Sequence, residues 1–273
     1  MLTRAGMKSD GHRLRRFLNS SVTRPVLFIV GLFILWELVI DIFRIPPYLI
    51  PAPLAVVKQL FAEWPRLIAE SAVTTYATLG GFALSIAFGI PIALWIAYSR
   101  TVESYVYPLL VFSQSVPKIA IAPLFVVWFG FGIIPKVIAA FMLGFFPVVV
   151  STVAGFKSVD PDMLDLARSM KASRLQTFLH ISLPNAMPSI FAGLKVSVTL
   201  AVVGAVVGEF VGSNSGIGYL LQIANGNFDL PLMFAALTVL SLIGVLLFAA
   251  VDLVERLTIP WHASHRNDFT ATA

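Results

Sequence analysis

The sequence predicts an all-α, polytopic membrane protein with six transmembrane helices. Three observations carry that expectation. Of the 273 residues, 58 % are hydrophobic and 12 % charged, against about 25 % charged in an ordinary soluble domain. Six apolar runs are long enough to cross ~30 Å of hydrocarbon, which takes roughly 20 residues of helix. Lys and Arg gather at the ends of those runs, and mostly on one side. The runs are 25–43, 72–98, 106–129, 133–156, 190–211 and 232–254.

The first run follows a basic arm containing Arg13, Arg15, Arg16 and Arg24. It is longer than a signal-peptide core and lacks a small-x-small cleavage site, so it reads as a retained span. The stretch IPPYLIPAP, residues 45–53, is proline-rich and expected to be extended. Residues 53–69 then suit an amphipathic helix at the interface. In the second run Gly80, Gly81 and Gly89 invite close helix packing, as do Gly204, Ala205 and Gly208 in the fifth. The third run is interrupted by Pro108, Pro117 and Pro123, which neighbouring helices can accommodate at membrane depth.

Between the fourth and fifth runs lies a water-facing segment. Asp160-Pro161 has an N-cap acid followed by a first-turn proline. Met163, Ala167 and Met170 fall on one face of the helix that follows. Ser173 and Gln176 have capping-box spacing and open a second short helix with Leu175, Phe178 and Leu179 on its apolar face. Pro184 and Pro188 are expected to end it and redirect the chain into the fifth span.

Basic residues set the topology. Thirteen Lys and Arg fall in residues 1–24, the 157–188 loop, Arg100 and the tail, against Arg44, Lys58 and Arg66 on the other side. Both termini and the loop are therefore expected in the cytoplasm. The layout is a basic tail at 1–24, a transmembrane domain at 25–258 with its loop at about 157–188, and a second tail at 259–273.

Several function classes are excluded. The chain has no cysteine, hence no disulfide, thiolate metal site or cysteine nucleophile. The +5 net charge belongs to topology; no basic patch interleaved with aromatics marks a nucleic-acid surface. His12, His180, His262 and His265 form no metal constellation. No G-x-x-x-x-G-K-[ST] phosphate loop occurs, so ATP chemistry by that route is absent. A secondary transporter would show repeated halves around broken helices, and no repeat is evident. A membrane enzyme would need clustered His, Asp and Glu, which are also missing.

Charges at membrane depth are costly and mark candidates for function. Glu37 reads as a hydrogen-bonded structural group. Lys118, with Gln114 one turn earlier, could draw an anionic solute, pair with Glu37 or Glu209, or snorkel. Lys195 and Lys136 read as snorkelling cations near span ends. Glu209 stands just before the Gly/Ser/Asn-rich stretch at 212–218, where Asn214 and Ser215 are candidate binding groups.

The 157–188 segment resembles the loop of bacterial ABC-importer membrane subunits that reads Glu-Ala-Ala, three residues, Gly, nine residues, Ile-x-Leu-Pro. Asp165, Leu166 and Ala167 stand at the first three positions, Lys171 at the glycine, and Ile181, Leu183 and Pro184 at the end. If the glycine position is left-handed, Lys171 is strained there. SVPKIAIAPLFVVWFGFG (115–132) and GEFVGSNSGIGYLL (208–221) resemble the nitrate/sulfonate/taurine-type branch. Within the first phrase, the stretch PKIAIAPLFVVWFGFG is also similar to importers of pyrimidine or flavin-type vitamin precursors. The resemblance implies a type I ABC importer-like fold in the bacterial inner membrane. It implies a loop that couples to cytoplasmic ATPase subunits through Asp165, Leu166, Ala167, Met170, Lys171, Phe178, Ile181, Leu183 and Pro184. It implies an extracytoplasmic solute-binding protein, a second copy as a homodimer, and no cofactor on this chain, since ATP is hydrolysed by the partner. A sulfonate, taurine or nitrate-type anion is the first solute implied and a vitamin precursor the second. Gln114, Lys118, Glu209 and Asn214 are candidates for the path or its gate.

Overall fold

The computed structural model describes residues 23–260, with side chains from Leu27 onward. The tails at 1–22 and 261–273, with His12, His262 and His265, lie outside the described residues. Every regular element among those residues is helical: α1 Thr23–Phe43, α2 Pro53–Ala62, α3 Trp64–Tyr98, α4 Arg100–Ser115, α5 Lys118–Phe129, α6 Ile133–Lys157, α7 Pro161–Ser169, α8 Arg174–Thr177, α9 Leu183–Gly212, α10 Ile217–Gly226 and α11 Leu230–Thr258.

Four helical stretches are long and apolar enough to span a membrane: α3, α6, the run Arg174–Gly212 and α11. The pair α4–α5 makes a fifth if its 91° bend is counted within one span. The bend falls at Val116-Pro117, where Pro117 is extended (φ −70°, ψ 90°) and has no N–H to continue the ladder. α1 covers the first expected span with 21 residues, about 31 Å of helix. The second span starts earlier than expected, because α3 runs 35 residues from Trp64. Residues 45–52 are not extended throughout: Leu49 N–H closes a turn on Pro46 C=O at 2.9 Å, and the chain is extended again at Ala52 before α2.

α6 is the centre of the bundle, packed between α3 and α9. Small residues allow the backbones to meet, as the sequence implied. A Cβ on Gly81 of α3 would lie 2.4 Å from the Ala140 Cβ, and one on Gly204 of α9 would lie 2.6 Å from the Ala139 carbonyl oxygen. Five helices carry an interior proline: Pro91, Pro108, Pro123, Pro147 and Pro188. Inside a bundle the freed carbonyls find other partners.

The bundle has two distinct ends. At one, the ends of α3 and α6 meet the 157–188 segment through Tyr98, Phe156 and Phe178, and Ile259 closes over Phe156, Ala186 and Ile190. At the other, α2, the start of α3, α10 and the start of α11 bury Val56, Leu67, Ile217, Leu220 and Leu232 together. Trp36 of α1 rests on Phe234 of α11, and Leu54 N–H donates to Glu37 at 3.3 Å, the structural role expected of that acid.

Candidate functional site

The 157–188 segment folds as a helix, a turn and a second helix. Asp160 caps α7 by accepting from Asp162 N–H at 2.9 Å. Ser173 and Gln176 form both halves of the capping box, at 3.2 and 2.8 Å. Between them α7 ends with Lys171 N–H on Arg168 C=O at 2.9 Å and Ala172 N–H on Ala167 C=O at 3.0 Å. That pair of hydrogen bonds is the Schellman pattern, which places a left-handed residue just past the helix. The residue is Lys171, with φ +56°, so the strain the sequence raised is present, roughly 1–2 kcal/mol relative to glycine.

The second helix does not end at the prolines. It runs without interruption from Arg174 to Gly212, 39 residues. A π-helical turn, Phe178–Ser182, lies in its path, with Leu183 N–H reaching back to Phe178 C=O. The widened turn falls just before Pro184, where a regular α-helical turn would press the ring against the carbonyl of His180. The expectation that Pro184 and Pro188 redirect the chain is thus corrected.

The two helices enclose a groove of about 490 Å³, lined by Leu166, Met170, Lys171, His180, Ile181 and others around Ala167. Ala167 is 4 % exposed, whereas Leu166 and Met170 remain 56 % and 74 % exposed. Such open apolar side chains mark a surface built to be covered. Phe178 faces the other way from Leu175 and Leu179, correcting their shared face. It stacks on Phe156 at 5.8 Å and meets Tyr98 at 6.2 Å, and with Leu183 it packs into the bundle. Asp165 pairs with Arg168 at 2.8 Å on the outer surface. Lys157 pairs with Glu103 of α4, and Asn185 donates to Ser158 at 3.1 Å, so the motif is tied to the bundle at both roots.

At the opposite end Glu209 is the centre of a buried polar cluster. It is 0 % exposed, accepts from Thr74 Oγ1 at 2.9 Å and from Gly218 N–H at 2.7 Å, and lies 4.0 Å from Lys136 Nζ. Lys136, only 2 % exposed, donates to the Ser215 carbonyl at 2.8 Å. It therefore does not snorkel. Thr74 Oγ1 also accepts from Ile217 N–H at 2.8 Å, and Glu70 accepts from Gly216 N–H at 2.5 Å. The cluster locks the 213–218 turn and the start of α10 onto α3, α6 and α9. Every buried charge and amide in it has a partner, which is what a low-dielectric site demands.

The remaining candidates stay apart. Lys118 stands at the α4–α5 break beside Phe125, Met142 and Val207. It pairs with neither Glu37 nor Glu209 and takes no hydrogen bond or ion pair among the described residues. Gln114 is exposed on the far side of the bend, and Asn214 is exposed at the tip of the 213–218 turn. Lys195 is half-buried and paired with Asp252 and Glu255 of α11, not snorkelling. Sequence reasoning missed Glu70, Thr74 and α10. The signal was present as a stripe of small and polar residues, Glu70, Thr74, Thr78, Gly81, Ser85 and Gly89, at helical spacing on one face of α3.

A bundle of helices long and apolar enough to span a membrane, with a turn locked at one end and an open apolar groove at the other, fits a membrane transport subunit. The chain belongs to the family of binding-protein-dependent transport system inner membrane components, whose model matches residues 85–260. It is a permease subunit of an ABC importer, a transport subunit that leaves ATP hydrolysis to a partner. It is 40 % identical to the formylaminopyrimidine transport permease protein ThiX of Halalkalibacterium halodurans, over 87 % of this chain and 95 % of that one. It is 34 % identical to the riboflavin transport system permease protein RibX of Chloroflexus aurantiacus, over 92 % and 94 %. With the taurine transport system permease protein TauC of Escherichia coli the figure is 29 %, over 90 % and 92 %. The fold is similar to that of the MetNI methionine ABC transporter in inward-facing form, with a TM-score of 0.59 at 17 % identity over 68 % of this chain and 92 % of that one.

Proposed function

We propose that this subunit carries a heteroaromatic vitamin precursor of the aminopyrimidine class across the inner membrane, driven by a separate ATPase docked on the 157–188 motif. The observation that carries the coupling is the groove around Ala167, open and apolar, at the head of a helix that continues unbroken into the bundle. For the solute, the support is the order of likeness: 40 % to a pyrimidine permease and 34 % to a riboflavin permease, against 29 % to a taurine permease. That order supports the vitamin precursor over the sulfonate or nitrate-type anion that the sequence phrases suggested first.

In this reading both termini and the motif are cytoplasmic, as the thirteen-to-three bias of basic residues supports. A second copy covers the bent pair α4–α5, whose α4 buries no side chain within one chain. Lys118 and Gln114 then lie along the path, and the exposed Asn214 tip meets the solute-binding protein.

The test is reconstitution of the permease, its ATPase and its binding protein in liposomes. Uptake of labelled aminopyrimidine is expected to need ATP and to vanish with Ala167→Asp, which puts a carboxylate into the floor of the groove. Uptake of taurine in preference to the pyrimidine overturns the solute; uptake without any ATPase overturns the coupling.

A further inference from the structure

Lys171 is the one groove-lining residue whose backbone works against it. Its left-handed φ of +56° suits glycine or asparagine, and the Schellman bonds at this turn need only the backbone. A side chain kept at such a position points to a use for that side chain. Lys171 lines the groove and is exposed, and it has no ion pair among the described residues. The other charges of the motif are committed elsewhere. Arg168 holds Asp165, Lys157 holds Glu103, and Asp160 and Asp162 lie in the opening turn of α7, away from the groove. Arg174, also exposed without an ion pair, begins the second helix three residues on. The groove is therefore lined by apolar Leu166, Ala167, Met170 and Ile181 together with the Lys171 cation.

We infer that Lys171 is a docking residue that meets a carboxylate on the ATPase subunit, placed beside an apolar side chain of that subunit that fills the groove. The inference rests on the coupling role proposed above and adds the chemistry of the partner. A carboxylate complements the unpaired cation, and an apolar neighbour complements the apolar lining. Contact with an anionic lipid headgroup would use the charge but leave the groove empty.

The experiment measures binding of the purified, nucleotide-free ATPase subunit to the full-length permease in nanodiscs, at low and high salt. Lys171→Gly and Lys171→Asn relieve the backbone, so their melting temperatures are expected to equal or exceed that of the unaltered chain. Their affinity for the ATPase is nevertheless expected to fall about fivefold, with a weaker dependence on salt. Lys171→Glu is expected to lose tenfold or more, and Lys171→Arg to retain binding. Equal affinity for the glycine, asparagine and glutamate variants overturns the inference. So does a change in binding to anionic vesicles with none in binding to the ATPase, which assigns the cation to lipid. If the unaltered permease binds and Ala167→Asp abolishes binding while the Lys171 variants are silent, only Lys171 is misassigned. If the unaltered permease does not bind the ATPase, the coupling role itself falls.

Discussion

Replacing Lys136 with methionine tests the polar lock around Glu209. At 4.0 Å and an effective dielectric near 20, the attraction between the two charges is about 4 kcal/mol. Removing one partner of a buried pair typically costs 3–5 kcal/mol, because the other charge is left uncompensated. The Ser215 carbonyl loses its 2.8 Å donor as well. We expect Lys136→Met to destabilise the bundle by about 3 kcal/mol, which at roughly 2–4 °C per kcal/mol for a chain of this size lowers Tm by ~6–12 °C. Glu209→Gln on top of it removes the stranded charge while still accepting from Gly218 N–H. The double variant should therefore recover about 2 kcal/mol, a coupling a double-mutant cycle reads directly. Fluorescence-monitored melting in detergent gives all four values. Equal losses in the single and double variants would show that Lys136 stabilises by packing alone, and the electrostatic account would fail.

Gly216→Ala is also expected to be poorly tolerated. Its φ is +105°, and a Cβ there would stand 2.0 Å from Glu209 Oε1; we expect a loss above about 2 kcal/mol, seen as poor yield and early melting, and a near-normal melt would contradict the turn geometry. Gly81→Val should separate α3 from α6, since even a Cβ lies 2.7 Å from the Phe141 amide nitrogen; overpacking of this kind costs about 1–3 kcal/mol and should lower Tm without altering ATPase affinity. Phe178→Ala removes the stack on Phe156 and Tyr98, at a cost of about 2–4 kcal/mol for a partly buried ring. The motif should still bind the ATPase but transmit less, so ATP hydrolysis persists while solute uptake falls; a parallel fall in both would place Phe178 in the docking surface instead.

Composition and run length made the helical bundle legible, because a chain this poor in charge cannot cover itself with polar surface in water. Caps were equally legible: Asp160-Pro161 and Ser173/Gln176 are local signals, decided within four residues. The prolines misled. Pro184 breaks an isolated α-helix, but a π turn before it removes the clash, and Phe178, which opens that turn, packs on Phe156 and Tyr98 from distant parts of the chain. Lys136 misled for the same reason. A lysine near a span end can reach water, and only the position of the 213–218 turn, 79 residues away in sequence from Lys136 to Ser215, decides that it does not. The residues proposed for docking were suggested by resemblance, whereas the lock had to be found by geometry, because its members come from α3, α6, α9 and the turn before α10.

The two sites share one helix. Arg174–Gly212 begins at the groove and carries Glu209 near its other end, and 39 residues reach ~58 Å. Along that length the only irregularities are the π turn and the prolines that follow it, all within the first two-fifths. Beyond Pro188 the helix is held against α6 by Gly193, Gly204 and Gly208, whose absent side chains leave no room for one helix to slide past the other without collision. A displacement delivered at the groove therefore has two outlets. It can be absorbed at the π turn, where Phe178 is pinned, or carried whole to the Glu209 cluster, where the helix is bonded to α3 and to the 213–218 turn. Pinning Phe178 closes the first outlet, so α6 and α9 should move as one body and carry the locked turn with them.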